Sequence, residues 1–120
     1  MASNDRLAKV RVSQEVTGID FVFVGQDLRT LDVHFLNDEA QELLGTLSNH
    51  EISIVPLPGF EVPSVEVGQK IWLDPGCLRV QLSRAGELAS YRLVIDDERV
   101  DPWFNGIEFS FAVHCQSGLD

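Results

Sequence analysis

Three histidines, two cysteines and a scatter of carboxylates are the groups in this 120-residue chain that could do chemistry, and their spacing narrows what that chemistry could be. A zinc site needs about four converging ligands, commonly with short local spacing. Only His114 and Cys115 are close in sequence, and adjacent residues of a strand face opposite ways; His34 and His50 stand apart. Cys77 and Cys115 match no CxxC pattern, and Cys77, after Pro75-Gly76, has no histidine or lysine beside it in sequence to hold a thiolate. Asp20, Asp32 and Glu108 alternate with apolar residues, so an acid–base pair could sit there, but acids occupy the wet face of almost any sheet. Asp96, Asp97, Glu98 and Asp101 cluster without the glycine turn and closing glutamate of a calcium loop and read as a solvated tip. There is no GxSxG elbow, HExxH helix, P-loop or GxGxxG turn. No catalytic residue, metal ligand or cofactor is therefore assigned, and a non-enzymatic protein is expected.

Charge bears on partners. Nineteen acids against nine Lys and Arg give a net charge of −10, which disfavours phosphate backbones and anionic lipid surfaces. No apolar run approaches the roughly 20 residues of a membrane span. No Lys or Arg lies between Arg29 and Lys70, while Asp32, Asp38, Glu39, Glu42, Glu51, Glu61 and Glu66 all do. An acidic face is expected in that window, with a basic protein as its natural complement; solubility is the plainer use of the same charge. The N-terminal Met-Ala-Ser-Asn-Asp-Arg has no apolar run, and the cysteines show no disulfide framework; a cytoplasmic location is expected.

Two segments carry apolar side chains where solvent loops usually do not. Residues 56–63 hold three prolines with Leu57, Phe60, Glu61 and Val62, a stiff stretch whose rigidity would lower the ordering cost of binding or which folds back as a lid. Residues 101–106 hold Trp103 and Phe104 side by side in turn-forming sequence; they serve either as a contact surface or as a plug for the end of a barrel. The candidate partner-binding set is Asp38, Glu39, Glu42, Glu51, Leu57, Phe60, Glu61, Trp103 and Phe104.

The elements that must position these residues are mostly strands. Period-two alternation runs through Ile19-Phe21-Phe23, Leu31-Val33-Phe35, Leu78-Val80-Leu82, Tyr91-Leu93-Ile95 and Ile107-Phe109-Phe111-Val113. Weaker stretches lie at 10–16, 52–55 and 65–67, with 71–73 either separate from the last or continuous with it. About eight strands are expected, in an antiparallel β-sandwich or barrel-like domain. Arg84-Ala85-Gly86-Glu87 predicts a hairpin over 78–95, and Asp74-Pro75-Gly76 and Asn105-Gly106 predict turns. One stretch breaks the period: residues 38–47 read as a short helix, capped by Asn37 or Asp38 with Gln41 completing a capping box, and with Ala40, Leu43, Leu44 and Leu47 on one face. A single domain is expected, with flexible termini at 1–6 and 116–120.

The resulting expectation is an acidic protein-binding domain, acting as an inhibitor or immunity-type factor or as an accessory subunit of an assembly. A homodimer through an edge strand fits the same reading. The alternatives are a small-molecule-binding barrel, with Phe60, Tyr91, Trp103 and Phe104 lining its mouth, and a small carboxylate enzyme.

Overall fold

The computed structural model describes residues 2–111, with side chains from Asp5 onward. His114, Cys115, Val113 and the expected flexible tail at 116–120 lie outside the described residues. The chain runs α1 (Ala2–Val12), β1 (Ile19–Val24), β2 (Thr30–Phe35), α2 (Ala40–Leu44), β3 (Ile52–Pro56), β4 (Val67–Asp74), β5 (Cys77–Leu82), β6 (Ser90–Ile95) and β7 (Ile107–Ser110), with 3-10 turns at Asn49–Glu51 and Pro102–Phe104. Among the described residues it is a mostly β fold of seven strands in two antiparallel sheets, ordered β1-β2-β5-β4 and β3-β6-β7.

The sheets face each other across one core. Leu31, Val33 and Phe35 of β2 and Leu78, Val80 and Leu82 of β5 meet Ile52 and Ile54 of β3 and Tyr91, Leu93 and Ile95 of β6. Burying each such side chain contributes about 1.5–3 kcal/mol, so the inner faces fix which way β2, β3, β5 and β6 turn. Tyr91 is wholly buried, its ring edge-on to Phe111 with centroids 5.2 Å apart. Its hydroxyl accepts the Glu87 backbone N–H at 3.1 Å, which makes that burial tolerable.

Several expectations need correcting. Residues 78–95 are not a hairpin. Both edges of β5 are taken, by β2 and β4, so β6 pairs instead with β3 and β7 in the other sheet. Residues 83–89 form the corner between the sheets, pinned by the Gly86 N–H donating to Leu28 O at 2.9 Å. A Cβ on Gly86 would stand 2.2 Å from the Phe111 ring, so only glycine lets that ring close the corner. The turn predicted at 74–76 is present and joins β4 to β5, with the Gly76 N–H donating to Asp74 Oδ1 at 2.8 Å.

The stretch at 10–16, expected to be extended, is instead helical up to Val12, in a helix that starts at Ala2. Val10 is its buried anchor. The Asn37 amide donates to Val10 O and Val16 O at 2.7 and 3.0 Å and ties the helix end to the body. α2 is shorter than the predicted 38–47 and starts without a side-chain cap. The Asn37 amide nitrogen is committed to the end of α1 while its Oδ1 accepts the Glu39 N–H at 3.2 Å just ahead of α2, and the Gln41 N–H donates to Pro75 O at 3.0 Å rather than joining a capping box. Residues 67–74 form one strand, not two, and Val65 makes only a single bridge to Ile54.

Candidate functional site

The surface least explained by folding is the outer face of the β1-β2-β5-β4 sheet, and it begins with a turn. Between β1 and β2 the chain reverses at 25–30, where Leu28 takes a left-handed φ of 58°, costing roughly 1–2 kcal/mol for a residue with a Cβ. Asp27 holds the turn: its carboxylate accepts the backbone N–H groups of Arg29 and Thr30, both at 3.0 Å, and the Thr30 hydroxyl at 2.8 Å. These bonds, the Arg29 N–H first and the Thr30 hydroxyl next, hold the Asp27 carboxyl below its ordinary value.

Ahead of that turn, β1 carries an irregularity between Ile19 and Phe21. One extra residue flips every side chain after it. Ile19 stays in the core, Val22 and Val24 turn inward, and Phe21 and Phe23 turn out. The alternation had placed Phe21 and Phe23 in the core with Ile19; instead they are 47% and 56% exposed.

The register then lays out the face in rows. Phe23 lies opposite Asp32, Asp32 opposite Arg79, and Arg79 opposite Ile71. A second row runs Phe21, His34, Cys77 and Asp74, with Leu73 just before Asp74 at the irregular end of β4. A third is polar: Thr30, Gln81, Gln69. Ile71 is 62% and Leu73 47% exposed. The two edge strands therefore carry the apolar side chains, and the two central strands carry charge.

At the centre, Arg79 grips Asp32 with both arms, Nε–Oδ1 at 2.8 Å and Nη2–Oδ2 at 3.0 Å. Such planar, two-point pairing fixes both groups in place. Beside it the imidazole of His34 stacks on Phe21, ring centroids 4.3 Å apart and planes at 11°. His34 Nε2 lies 3.8 Å from the Cys77 thiol. Cys77 is buried. Burial first, then the charges of Asp32 and Asp74, push its pKa up, which disfavours the reactive thiolate despite the histidine. The carboxylates considered for acid–base work do not pair with one another: Asp32 belongs to Arg79, and Glu108 lies 3.6 Å from Arg92 across β6 and β7. Among the described residues, no three His, Cys, Asp or Glu converge as metal ligands.

The residues singled out from sequence are dispersed. Asp38, Glu39 and Glu42 surround a shallow concavity with Gln41, Gly45, Trp72 and Pro75. Glu51 sits in the 3-10 turn before β3, its carboxylate accepting the Ser48 N–H at 2.7 Å. Leu57 is half-buried, its N–H donating to Ser90 O, while Phe60 is 43% exposed and Glu61 exposed. Trp103 is 60% exposed, with the Arg6 guanidinium 5.8 Å over its ring; Arg6 Nε donates to Asp101 Oδ1 at 2.9 Å. Phe104 is half-buried, against Gly18. Tyr91 belongs to the core and cannot line an open mouth with Phe60, Trp103 and Phe104.

Sequence reasoning missed Phe21, Phe23, Ile71 and Leu73. The available signal was that residues 21–24 and 71–73 are apolar at every position, which in a strand means that both faces are covered. No helix among the described residues is long and apolar enough to cross a membrane. No curated protein and no solved structure matches the chain. The family described as phage baseplate assembly protein, N-terminal domain, matches residues 1–109, from the start of α1 into β7, and the chain belongs to that family.

Proposed function

We propose that this domain is an accessory structural subunit of a baseplate-type assembly, and that it docks on a protein neighbour through the outer face of the β1-β2-β5-β4 sheet. The observation that carries the reading is the placement of Phe21, Phe23, Ile71 and Leu73, all at least 47% exposed, on the two edge strands of one face. Scattered single apolar residues on a surface are ordinary, but a grouped set rimmed by polar residues marks an interaction surface. The family supports protein partners within an assembly. Of the roles expected from sequence, the accessory subunit fits this better than an inhibitor or immunity factor. The acids near α2 are free to steer a separate, basic assembly protein.

The test is a photo-reactive amino acid placed at Phe23, with a control at Arg92 on the other sheet, in the chain expressed together with its native assembly. Covalent capture of an assembly protein or a second copy from position 23, and not from position 92, is expected. Equal capture from both positions, or none from position 23, refutes the reading.

A further inference from the structure

We infer that the occupant of this face is a second copy of the chain, related to the first by a two-fold axis that runs parallel to the strands between β2 and β5. The inference rests on the docking face proposed above and specifies what covers it.

The register carries the argument. The first row reads, strand by strand across the sheet, Phe23, Asp32, Arg79, Ile71. An axis along the strands, lying in the interface plane, reverses the order of strands while keeping each row level. Phe23 of one copy then lies over Ile71 of the other, Asp32 over Arg79, Arg79 over Asp32, and Ile71 over Phe23. Every position of this row meets its complement: aromatic against aliphatic, carboxylate against guanidinium. In the second row Asp74 is the residue opposite Cys77, so Phe21 lies over the irregular end of β4 where Leu73 precedes Asp74. An isologous interface demands this self-complementarity.

The competing arrangements lack it. An axis running across the strands stacks Asp32 on Asp32 and Arg79 on Arg79, which sets like charges against each other. Edge-to-edge pairing through β1 or β4 would leave the four apolar side chains in water. The β4 edge is also partly occupied, since the Asn49 amide donates to Gly68 O at 3.2 Å and Lys70 Nζ donates to Asn49 Oδ1 at 2.7 Å.

The area is adequate for a weak dimer. Four strands at about 4.8 Å spacing and roughly six residues long give a footprint of about 400 Å². With side-chain relief the two copies bury roughly 1,000–1,300 Å² together, the lower edge of a standard interface. Each copy carries a net charge of −10, so long-range repulsion opposes association and salt relieves it. The dimer therefore tightens between low and high salt, the opposite of a complex with a basic protein.

The test uses the full chain carrying Cys77→Ala and Cys115→Ser, with Phe23→Cys in one preparation and Ile71→Cys in another, the two differing in mass. A short bismaleimide linker is added to each alone and to the mixture, and sedimentation velocity is run in parallel at low and high salt. Folding of each variant is checked by circular dichroism and thermal midpoint. The expected result is a mixed cross-linked dimer several-fold more abundant than either like pair, with self-association lost on Phe23→Ser/Ile71→Ser and tightened by salt. Like pairs as abundant as the mixed one overturn the stated axis. A chain that stays monomeric at hundreds of micromolar, while position 23 still captures another assembly protein, overturns the second copy and leaves the docking face standing. Self-association indifferent to Phe23→Ser/Ile71→Ser, together with no capture at position 23, overturns both.

Discussion

Removing the Asp27 carboxylate should cost stability in a pH-dependent way. Asp27→Ala takes away the acceptor for the Arg29 and Thr30 N–H groups and for the Thr30 hydroxyl, while Leu28 must still reach its left-handed φ of 58°. The closest comparison is loss of a helix N-cap, about 0.5–2 kcal/mol. Because the turn is exposed, about 1 kcal/mol is the working figure after discounting for solvent. With a urea m-value of about 1–2 kcal/mol/M, the midpoint at pH 7 should fall by roughly 0.5–1 M. The hydrogen bonds lower the carboxyl pKa from its ordinary 3.8. The folded state thus holds this proton more weakly than the unfolded chain does. The stabilisation is present above the unfolded pKa and disappears as pH falls through the folded one. Urea titrations of the native chain and of Asp27→Ala at pH 7 and near pH 2.5 should show the gap shrinking in acid. Asp27→Asn keeps a neutral oxygen acceptor but cannot titrate, so its deficit should be smaller than that of Asp27→Ala at pH 7 and should fall by the same amount in acid. An Asp27→Ala deficit that is the same at both pH values would refute the assignment of charge-assisted bonds to this turn.

Other perturbations follow from the packing. Gly86→Ala places a methyl 2.2 Å from the Phe111 ring and should destabilise by about 1–3 kcal/mol, read as a lower thermal midpoint. Thr17 is buried and its hydroxyl finds no hydrogen-bond partner among the described residues; Thr17→Val should be neutral or stabilising by up to about 1 kcal/mol in urea unfolding. If the acids near α2 steer a basic neighbour, Glu39→Lys with Glu42→Lys and Glu51→Lys should slow association far more than Arg92→Ala in stopped-flow kinetics, and equal effects would remove that role.

Inner strands were legible because one face of each is buried. Leu31, Val33, Leu78, Val80, Leu93 and Ile95 are all buried, and a one-residue slip in any of them would have put its apolar set in water. What stayed hidden depends on partners distant in the chain. The glycine turn at 84–87 has the chemistry of a hairpin, yet it became a corner because β4 had already filled the second edge of β5. The irregularity before Phe21 leaves no local mark, and through it two phenylalanines that read as core became surface. The helix over 2–12 has weak amphipathic patterning and depends on Val10 and on Asn37 twenty-seven residues away. The candidate face was hidden for a related reason. Asp32 and Arg79 are forty-seven residues apart, and only the sheet order makes them neighbours.

The docking face is tested most directly by incorporation of the chain into its native assembly when that face is made polar. Phe23 and Ile71 contribute little to the core, so Phe23→Ser/Ile71→Ser should fold with a nearly unchanged thermal midpoint. The account predicts that the native chain and Arg92→Ala sediment with the assembly, whereas the folded double variant stays in the free fraction. A double variant that enters the assembly as fully as the native chain would contradict the docking face.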